Sequence, residues 1–186
     1  MKIALIGYGE VGRILAEDLR AAGEAVSAVD IKLHSLAGEP MREHALLHGV
    51  VLADSHAEAV RGAGLVISAV TASQAVAVAS ACAPALAKGA YFLDFNSASP
   101  GAKVHAAGIV DAAGGHYVEG AVMTSVPPYR IKVPLLLGGP HAVALLPLLT
   151  ERGFAARVAS DRLGVAQAPN MSPRRMTLVL IHISAA

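Results

Sequence analysis

The feature that most constrains this fold is a set of three glycines spaced Gly-x-Gly-x-x-Gly directly after a short apolar run. Gly7, Gly9 and Gly12 follow the apolar residues 3–6 and open an amphipathic stretch from about Glu10 to Ala22. The spacing alone is a weak signal, because a chain with 18 glycines can produce it by chance. Its position between a predicted strand and a predicted helix indicates a βαβ unit. The alternative is a purely structural turn of an α/β core.

The rest of the chain alternates short β-branched runs with Ala-rich helical stretches, which is typical of a parallel sheet. We predict further helices over 39–48 and 141–151, and further strands over 25–29, 50–53, 65–70, 91–95, 116–122, 133–137 and 154–158. Thr71 is predicted to cap a helix, with Gln74 completing a capping box. We therefore predict a doubly wound, mostly parallel α/β sheet of the Rossmann type. One dinucleotide-binding domain is expected over residues 1–160, with a short remnant over 161–186.

Composition excludes several classes of function. The 15 basic and 14 acidic residues form no runs, so the chain lacks the basic stripe that nucleic acid requires. Cys82 is the only cysteine, which rules out an intrachain disulfide. Residues 62–87 carry no charge and could span a bilayer by length, but their Ser, Thr, Gln and Pro content favours a buried strand and helix. We expect no membrane partner and a cytoplasmic location.

Two of the eight histidines have the spacing of metal ligands. His44 and His48 lie four residues apart in a predicted helix, which places them on one helical face. No third ligand can be recognised from the sequence, so we predict no metal site.

In a dinucleotide-binding unit, each glycine of the loop has a distinct role. Gly7 permits the tight turn, Gly9 lets a pyrophosphate approach the backbone, and Gly12 lets the helix pack on the strand. The free amides at the helix start then hold the phosphates. We therefore predict that the cofactor is bound by the whole loop: Gly7, Tyr8, Gly9, Glu10, Val11 and Gly12.

An acidic residue at the end of the second predicted strand bears on the choice of cofactor. Asp30 follows Gly12 by 18 residues, where a carboxylate accepts hydrogen bonds from ribose hydroxyls and repels a 2′-phosphate. This favours NAD. NADP stays open, because Lys32 and His34 are near enough to offset the repulsion. The alternative is a solvated acid in a loop.

Five sequence blocks resemble the β-hydroxyacid dehydrogenases, the family of 3-hydroxyisobutyrate and 6-phosphogluconate dehydrogenases. The blocks lie within residues 1–165 and read IGYGEVGRILAEDL, VISAVTAS, FLDFNSASP, YVEGAVMTSVP and VPLLLGGP. The resemblance implies hydride transfer between a nicotinamide and a small hydroxy acid. It also implies that Val70, Thr71 and Asn96 contact the cofactor, and Thr71 and Asn96 follow strand ends, where open α/β sheets bind ligands.

The segment Glu119 to Ser125 is similar to the substrate loop of that family. Met123 and Thr124 stand where the family has Ser and Gly. Together with Ser125, whose hydroxyl could replace the missing one, they are the predicted substrate contacts.

The resemblance ends near Gly164. Asn170 stands where the family has its catalytic Lys, and no Lys follows Lys132. An amide cannot shuttle a proton, so the loss of acid–base catalysis is expected to cost roughly two to four orders of magnitude in rate. We expect a family member truncated before its helical second domain, with Asn170 as the candidate at the catalytic position. A non-catalytic NAD(P)-binding module is the second hypothesis, and apolar surface left by a missing domain leaves a homo-oligomer open.

Overall fold

The computed structural model describes residues 1–164, which form one eight-stranded sheet with the strand order β3-β2-β1-β4-β5-β6-β7-β8. All neighbouring strands are parallel except β6 and β7, which are antiparallel. The strands are β1 Lys2–Ile6, β2 Ala25–Val29, β3 Val51–Leu52, β4 Leu65–Ser68, β5 Tyr91–Asp94, β6 His116–Val122, β7 Leu135–Gly138 and β8 Ala156–Ser160. The predicted doubly wound, mostly parallel fold is confirmed.

Seven α-helices connect these strands within the described residues. They are α1 Glu10–Ala21, α2 Glu39–His48, α3 His56–Val60, α4 Ala75–Cys82, α5 Pro100–Ala112, α6 Val126–Tyr129 and α7 Ala142–Glu151. None of the helices within residues 1–164 combines the length and the apolar character that crossing a bilayer requires. The uncharged stretch over 62–87 contains β4 and α4 instead.

The period of two along β1 divides the core between the two faces of the sheet. Ile3 and Leu5 belong to one buried cluster, which also contains residues of α1, α2 and α7. Ala4 and Ile6 belong to a second cluster, which contains residues of α3, α4 and α5. Helices therefore cover both faces, and this burial explains why the central strands are almost wholly apolar.

Two observed strands begin two residues later than predicted. The prediction placed them at 133–137 and 154–158, whereas β7 is Leu135–Gly138 and β8 is Ala156–Ser160. Val133 and Phe154 are buried but precede the paired residues. Burial therefore extends past the hydrogen-bonded ladder, and an apolar pattern cannot separate the two.

The predicted capping box at Thr71 is wrong. A short 3₁₀ turn, Ala72–Gln74, follows Thr71, and α4 begins only at Ala75. The Thr71 hydroxyl lies 3.3 Å from the hydroxyl of Ser73 and caps no helix. Thr71 is exposed, so its hydroxyl remains accessible at the edge of the sheet.

Candidate functional site

A cleft of about 550 Å³ opens at the carboxyl ends of β1, β2 and β4. The strand order reverses between β1 and β4, and such switch points are where open α/β sheets bind ligands. The volume falls within the range of about 300–1,000 Å³ that small-molecule sites occupy. Fold and location together indicate a ligand site.

The three glycines of the loop after β1 have different surroundings. Gly7 has a φ of +95°, and a Cβ there would lie 2.4 Å from the carbonyl oxygen of Ala69. A Cβ at Gly12 would lie 2.2 Å from the carbonyl oxygen of Gly7, whereas a Cβ at Gly9 would have nothing within 4 Å. Gly7 and Gly12 are therefore required by the close packing of the loop, while Gly9 faces open space in the cleft.

The first turn of α1 faces the same cleft. Glu10 and Val11 line it, and Gly9, the residue that precedes the helix, provides no side chain to cap it. The first backbone amides of a helix have no intrahelical partner, and together with the helix dipole they attract anions. This end of the cleft fits a phosphate group.

Asp30 holds the loop in place from the end of β2. Its Oδ2 accepts a hydrogen bond from the Tyr8 backbone N–H at 2.9 Å, and its Oδ1 accepts one from the Lys32 N–H at 2.9 Å. Asp30 also lines the cleft. A carboxylate offers about four acceptor positions, so these two bonds leave capacity for ligand hydroxyls.

Asn96 connects the ends of β4 and β5. Its Oδ1 accepts a hydrogen bond from the Val70 N–H at 2.7 Å, and its Nδ2 donates one to the Ser68 hydroxyl at 3.0 Å. The side chain is buried, with 2% of its surface exposed. Asn96 therefore fixes the backbone at Val70, and Val70 itself lines the cleft.

The structure brings most of the predicted cofactor residues together. Those that line the cleft are Gly7, Gly9, Glu10, Val11, Asp30, Val70 and Thr71. Tyr8, Gly12 and Asn96 are not among the lining residues: they lie behind the cleft and support it. Lys32, His56 and Gln74 also line the cleft. No motif pointed to His56, because it reaches the site from the start of α3.

A buried charged network lies behind Asn96. Lys103, Asp94 and Glu119 are each at most 1% exposed. The Lys103 Nζ lies 3.6 Å from Asp94 Oδ2 and 4.0 Å from Glu119 Oε1. Asp94 Oδ2 also accepts a hydrogen bond of 2.5 Å from the Tyr117 hydroxyl, and its Oδ1 accepts one of 2.8 Å from the Asn96 N–H. The network therefore braces the turn that positions Asn96.

Burial has the largest influence on the pKa values of Lys103 and Tyr117. It lowers the pKa of Lys103, although the carboxylates of Asp94 and Glu119 act in the opposite direction. Burial also raises the pKa of Tyr117, and Asp94 adds to that shift, so the hydroxyl stays protonated and donates. The sequence did contain a signal for Lys103, because it precedes the buried residues Ala106, Ala107 and Val110 at helical spacing on α5.

The predicted substrate residues lie at the carboxyl end of β6, on the same edge of the sheet as Thr71. Met123 is 49% exposed, and Thr124 and Ser125 are exposed as well. None of the three lines the cleft. Asn170 lies outside the described residues.

Fold, glycine loop and cleft define this chain as a Rossmann-type dinucleotide-binding domain. Residues 2–142 match the family described as the NAD binding domain of 6-phosphogluconate dehydrogenase. The chain belongs to this family, which confirms the resemblance inferred from the motifs. Among curated proteins, none is a detectable relative of this chain.

Solved structures place the same fold in longer proteins. A conserved hypothetical protein from Sinorhizobium meliloti is 33% identical and has a TM-score of 0.84, over 98% of this chain and 58% of that one. A Mycobacterium tuberculosis 3-hydroxyisobutyrate dehydrogenase with L-serine is 21% identical and has a TM-score of 0.78, and the match covers 98% of this chain and 62% of that one. An imine reductase from Myxococcus stipitatus in complex with NADP⁺ is 19% identical and has a TM-score of 0.74, and the match covers 99% of this chain and 61% of that one. This chain spans about three fifths of their lengths.

Proposed function

We propose that this chain binds NAD, or alternatively NADP, in the cleft and forms the cofactor domain of an oxidoreductase that acts on a small hydroxy acid. The observation that carries the proposal is the contrast among the loop glycines. Gly7 and Gly12 are enclosed by backbone, whereas a Cβ at Gly9 would meet nothing within 4 Å. Space is thus left at the position where a pyrophosphate would approach the helix start.

Each wall of the cleft supplies groups suited to one part of a dinucleotide. The amides that begin α1 suit the pyrophosphate, and the Asp30 carboxylate suits the adenosine ribose hydroxyls. Val70 and Thr71 suit the ribose and nicotinamide, and Asn96 acts through Val70 as a positioning residue. A bound nicotinamide would supply a hydride donor or acceptor. The residues of this chain bind and orient it.

NAD is the favoured cofactor, because Asp30 is a carboxylate at the ribose end of the cleft and would repel a 2′-phosphate. Two basic side chains, Lys32 and His56, line the same cleft and support NADP as the alternative. We propose Met123, Thr124 and Ser125 as contacts to the hydroxy acid, because they follow β6 on the same edge of the sheet.

The second candidate function is a non-catalytic NAD(P)-binding module. It is favoured by Asn170, which occupies the position of the catalytic Lys in the family resemblance. The Asn170 amide could orient a substrate hydroxyl group, but at neutral pH it cannot accept a proton from that hydroxyl or donate one to it.

Titration of the protein with NADH and with NADPH, followed by nicotinamide fluorescence, tests binding. We expect saturable binding of both nucleotides, with NADH at least tenfold tighter, which corresponds to about 1.4 kcal/mol. No response to either nucleotide would refute both candidate functions. A panel of small hydroxy acids assayed with NAD and NADP then separates them, because only the oxidoreductase reduces the cofactor.

A further inference from the structure

Three side chains with metal-ligating atoms meet on the side of the molecule formed by α1 and α2. His44 and His48 lie one turn apart on α2, with ring centroids 4.4 Å apart. Glu17 reaches them from α1, and its Oε1 lies 2.9 Å from His44 Nε2. One ligand atom from each residue lies within 4.8 Å of the other two. The sequence argument against a metal rested on the lack of a third ligand, and the packing of α1 on α2 provides one.

We propose that Glu17, His44 and His48 form a binding site for a divalent transition-metal ion of the zinc type. In a tetrahedral zinc site with ligand distances of about 2.0–2.1 Å, ligand atoms are about 3.4 Å apart. The widest pair here, at no more than 4.8 Å, needs to close by about 1.4 Å at most. Side-chain rotation is sufficient for such a change.

The surroundings orient two of the three ligands in advance. The Tyr8 hydroxyl lies 2.8 Å from His44 Nδ1, so the other ring nitrogen, Nε2, is directed towards Glu17. Metal-bound histidines usually have their second nitrogen hydrogen-bonded in this way. Glu17 Oε2 accepts a hydrogen bond from Arg130 at 2.6 Å, which leaves Oε1 as the ligand atom.

The donor set selects among metal ions. Two imidazoles and one carboxylate suit Zn²⁺, Ni²⁺ or Cu²⁺, whereas Mg²⁺ prefers oxygen ligands. All three side chains are half-buried, so water can supply the fourth ligand. Arg130 also pairs with Asp18, at 2.8 Å, and this second partner keeps its charge compensated when Glu17 binds a metal.

Equilibrium dialysis and calorimetry with Zn²⁺ and Ni²⁺ test the site on the untagged full chain after treatment with a chelator. Wild type is compared with His48→Ala, Glu17→Gln and the control His105→Ala, which removes an exposed histidine on α5. We expect both the wild-type chain and the control variant His105→Ala to bind one equivalent of metal. Removing either ligand should weaken binding by at least about tenfold, since even second-shell changes cost 10–100-fold.

Two controls keep the result specific. The melting temperature without metal shows whether each variant folds, and His48 is the safer change because its side chain takes part in no hydrogen bond or ion pair within residues 1–164. Mg²⁺ should give no comparable binding. Equal Zn²⁺ affinity in wild type, His48→Ala and Glu17→Gln would overturn the proposal, as would an equal loss in His105→Ala.

Discussion

Alanine substitutions at Gly7 and Gly9 should separate the structural role of the glycine loop from its binding role. Both change one hydrogen to a methyl group within the same turn. Gly7 is enclosed by the end of β4, whereas Gly9 faces the cleft. We therefore expect Gly7→Ala to lower stability and Gly9→Ala to lower affinity for the nucleotide.

The effect at Gly7 can be worked out from two terms. A non-glycine residue at a φ of +95° adopts a sparsely populated conformation, which costs about 1–3 kcal/mol. The Cβ would also lie 2.4 Å from the Ala69 carbonyl oxygen, and overpacking of this kind costs about 1–3 kcal/mol. The free energy of unfolding should fall by at least about 2 kcal/mol, which lowers Tm by at least about 4 °C in a chain of this size.

At Gly9 the structural terms offset one another. The backbone is extended, with a φ of −74° and a ψ of −153°, so alanine avoids the penalty of a positive φ, and the lower entropy of the unfolded chain stabilises by about 0.4–1 kcal/mol. Alanine is a poorer N-cap than glycine by about 0.5–1 kcal/mol. The net change in stability should lie within about 0.5 kcal/mol. The new methyl group occupies the space left for the pyrophosphate, so affinity for NADH should fall at least tenfold, by about 1.4 kcal/mol.

Thermal unfolding without nucleotide and NADH fluorescence titration measure the two effects separately. If Gly9→Ala binds NADH as wild type does, the cofactor does not approach this turn and the proposed site is wrong. If Gly7→Ala melts at the temperature of wild type, the packing argument fails, whatever the result of the binding assay.

Three further predictions concern buried or paired groups. Lys103→Met should lower the free energy of unfolding by about 3–5 kcal/mol, because it leaves buried carboxylates without their cation; urea unfolding should show part of this loss recovered when Glu119→Gln is added. Burial raises the pKa of Cys82 to about 12, so at pH 8 the thiol should react with a disulfide reagent only in denaturant; fast reaction of the native chain would contradict its burial. Arg130→Ala should cost about 1 kcal/mol or less, because the guanidinium is 42% exposed and solvent screens such pairs; the loss should shrink in high salt, and a loss that salt leaves unchanged would refute an electrostatic origin.

The fold was predictable where the hydrophobic periodicity and the positions of turn-forming glycines indicate the same elements. From β1 to β2 the predicted boundaries agree with the structure to within about one residue, because an apolar strand, a glycine loop and an amphipathic helix follow one another there. The prediction failed at the start of α4. Thr71 and Gln74 have the spacing of a capping box, yet Ala72–Gln74 forms a 3₁₀ turn and α4 begins only at Ala75.

The residues that line the cleft were more predictable from the sequence than the buried residues behind it. Gly9 and Asp30 could be placed at the cleft because the glycine spacing and the acid after the second strand form a local motif. The buried network around Lys103 could not be assembled, because its members come from β5, α5 and β6, and only the parallel pairing of β5 with β6 sets Asp94 opposite Glu119. Glu17 joins His44 for the same reason: residues 27 positions apart meet through helix packing, which no short motif encodes.

Tyr8 shows how the tertiary contacts act on the local motif. Its backbone amide donates to Asp30 at 2.9 Å, and its hydroxyl lies 2.8 Å from His44. Gly7 adds a hydrogen bond of 2.9 Å to the Val29 carbonyl. The turn is thus held from both β2 and α2 before any ligand binds, which reduces the entropy cost of binding. Tyr8 occupies a position that the Gly-x-Gly-x-x-Gly spacing leaves unspecified, yet it joins the cleft to α2: its backbone amide contacts Asp30 and its hydroxyl contacts His44.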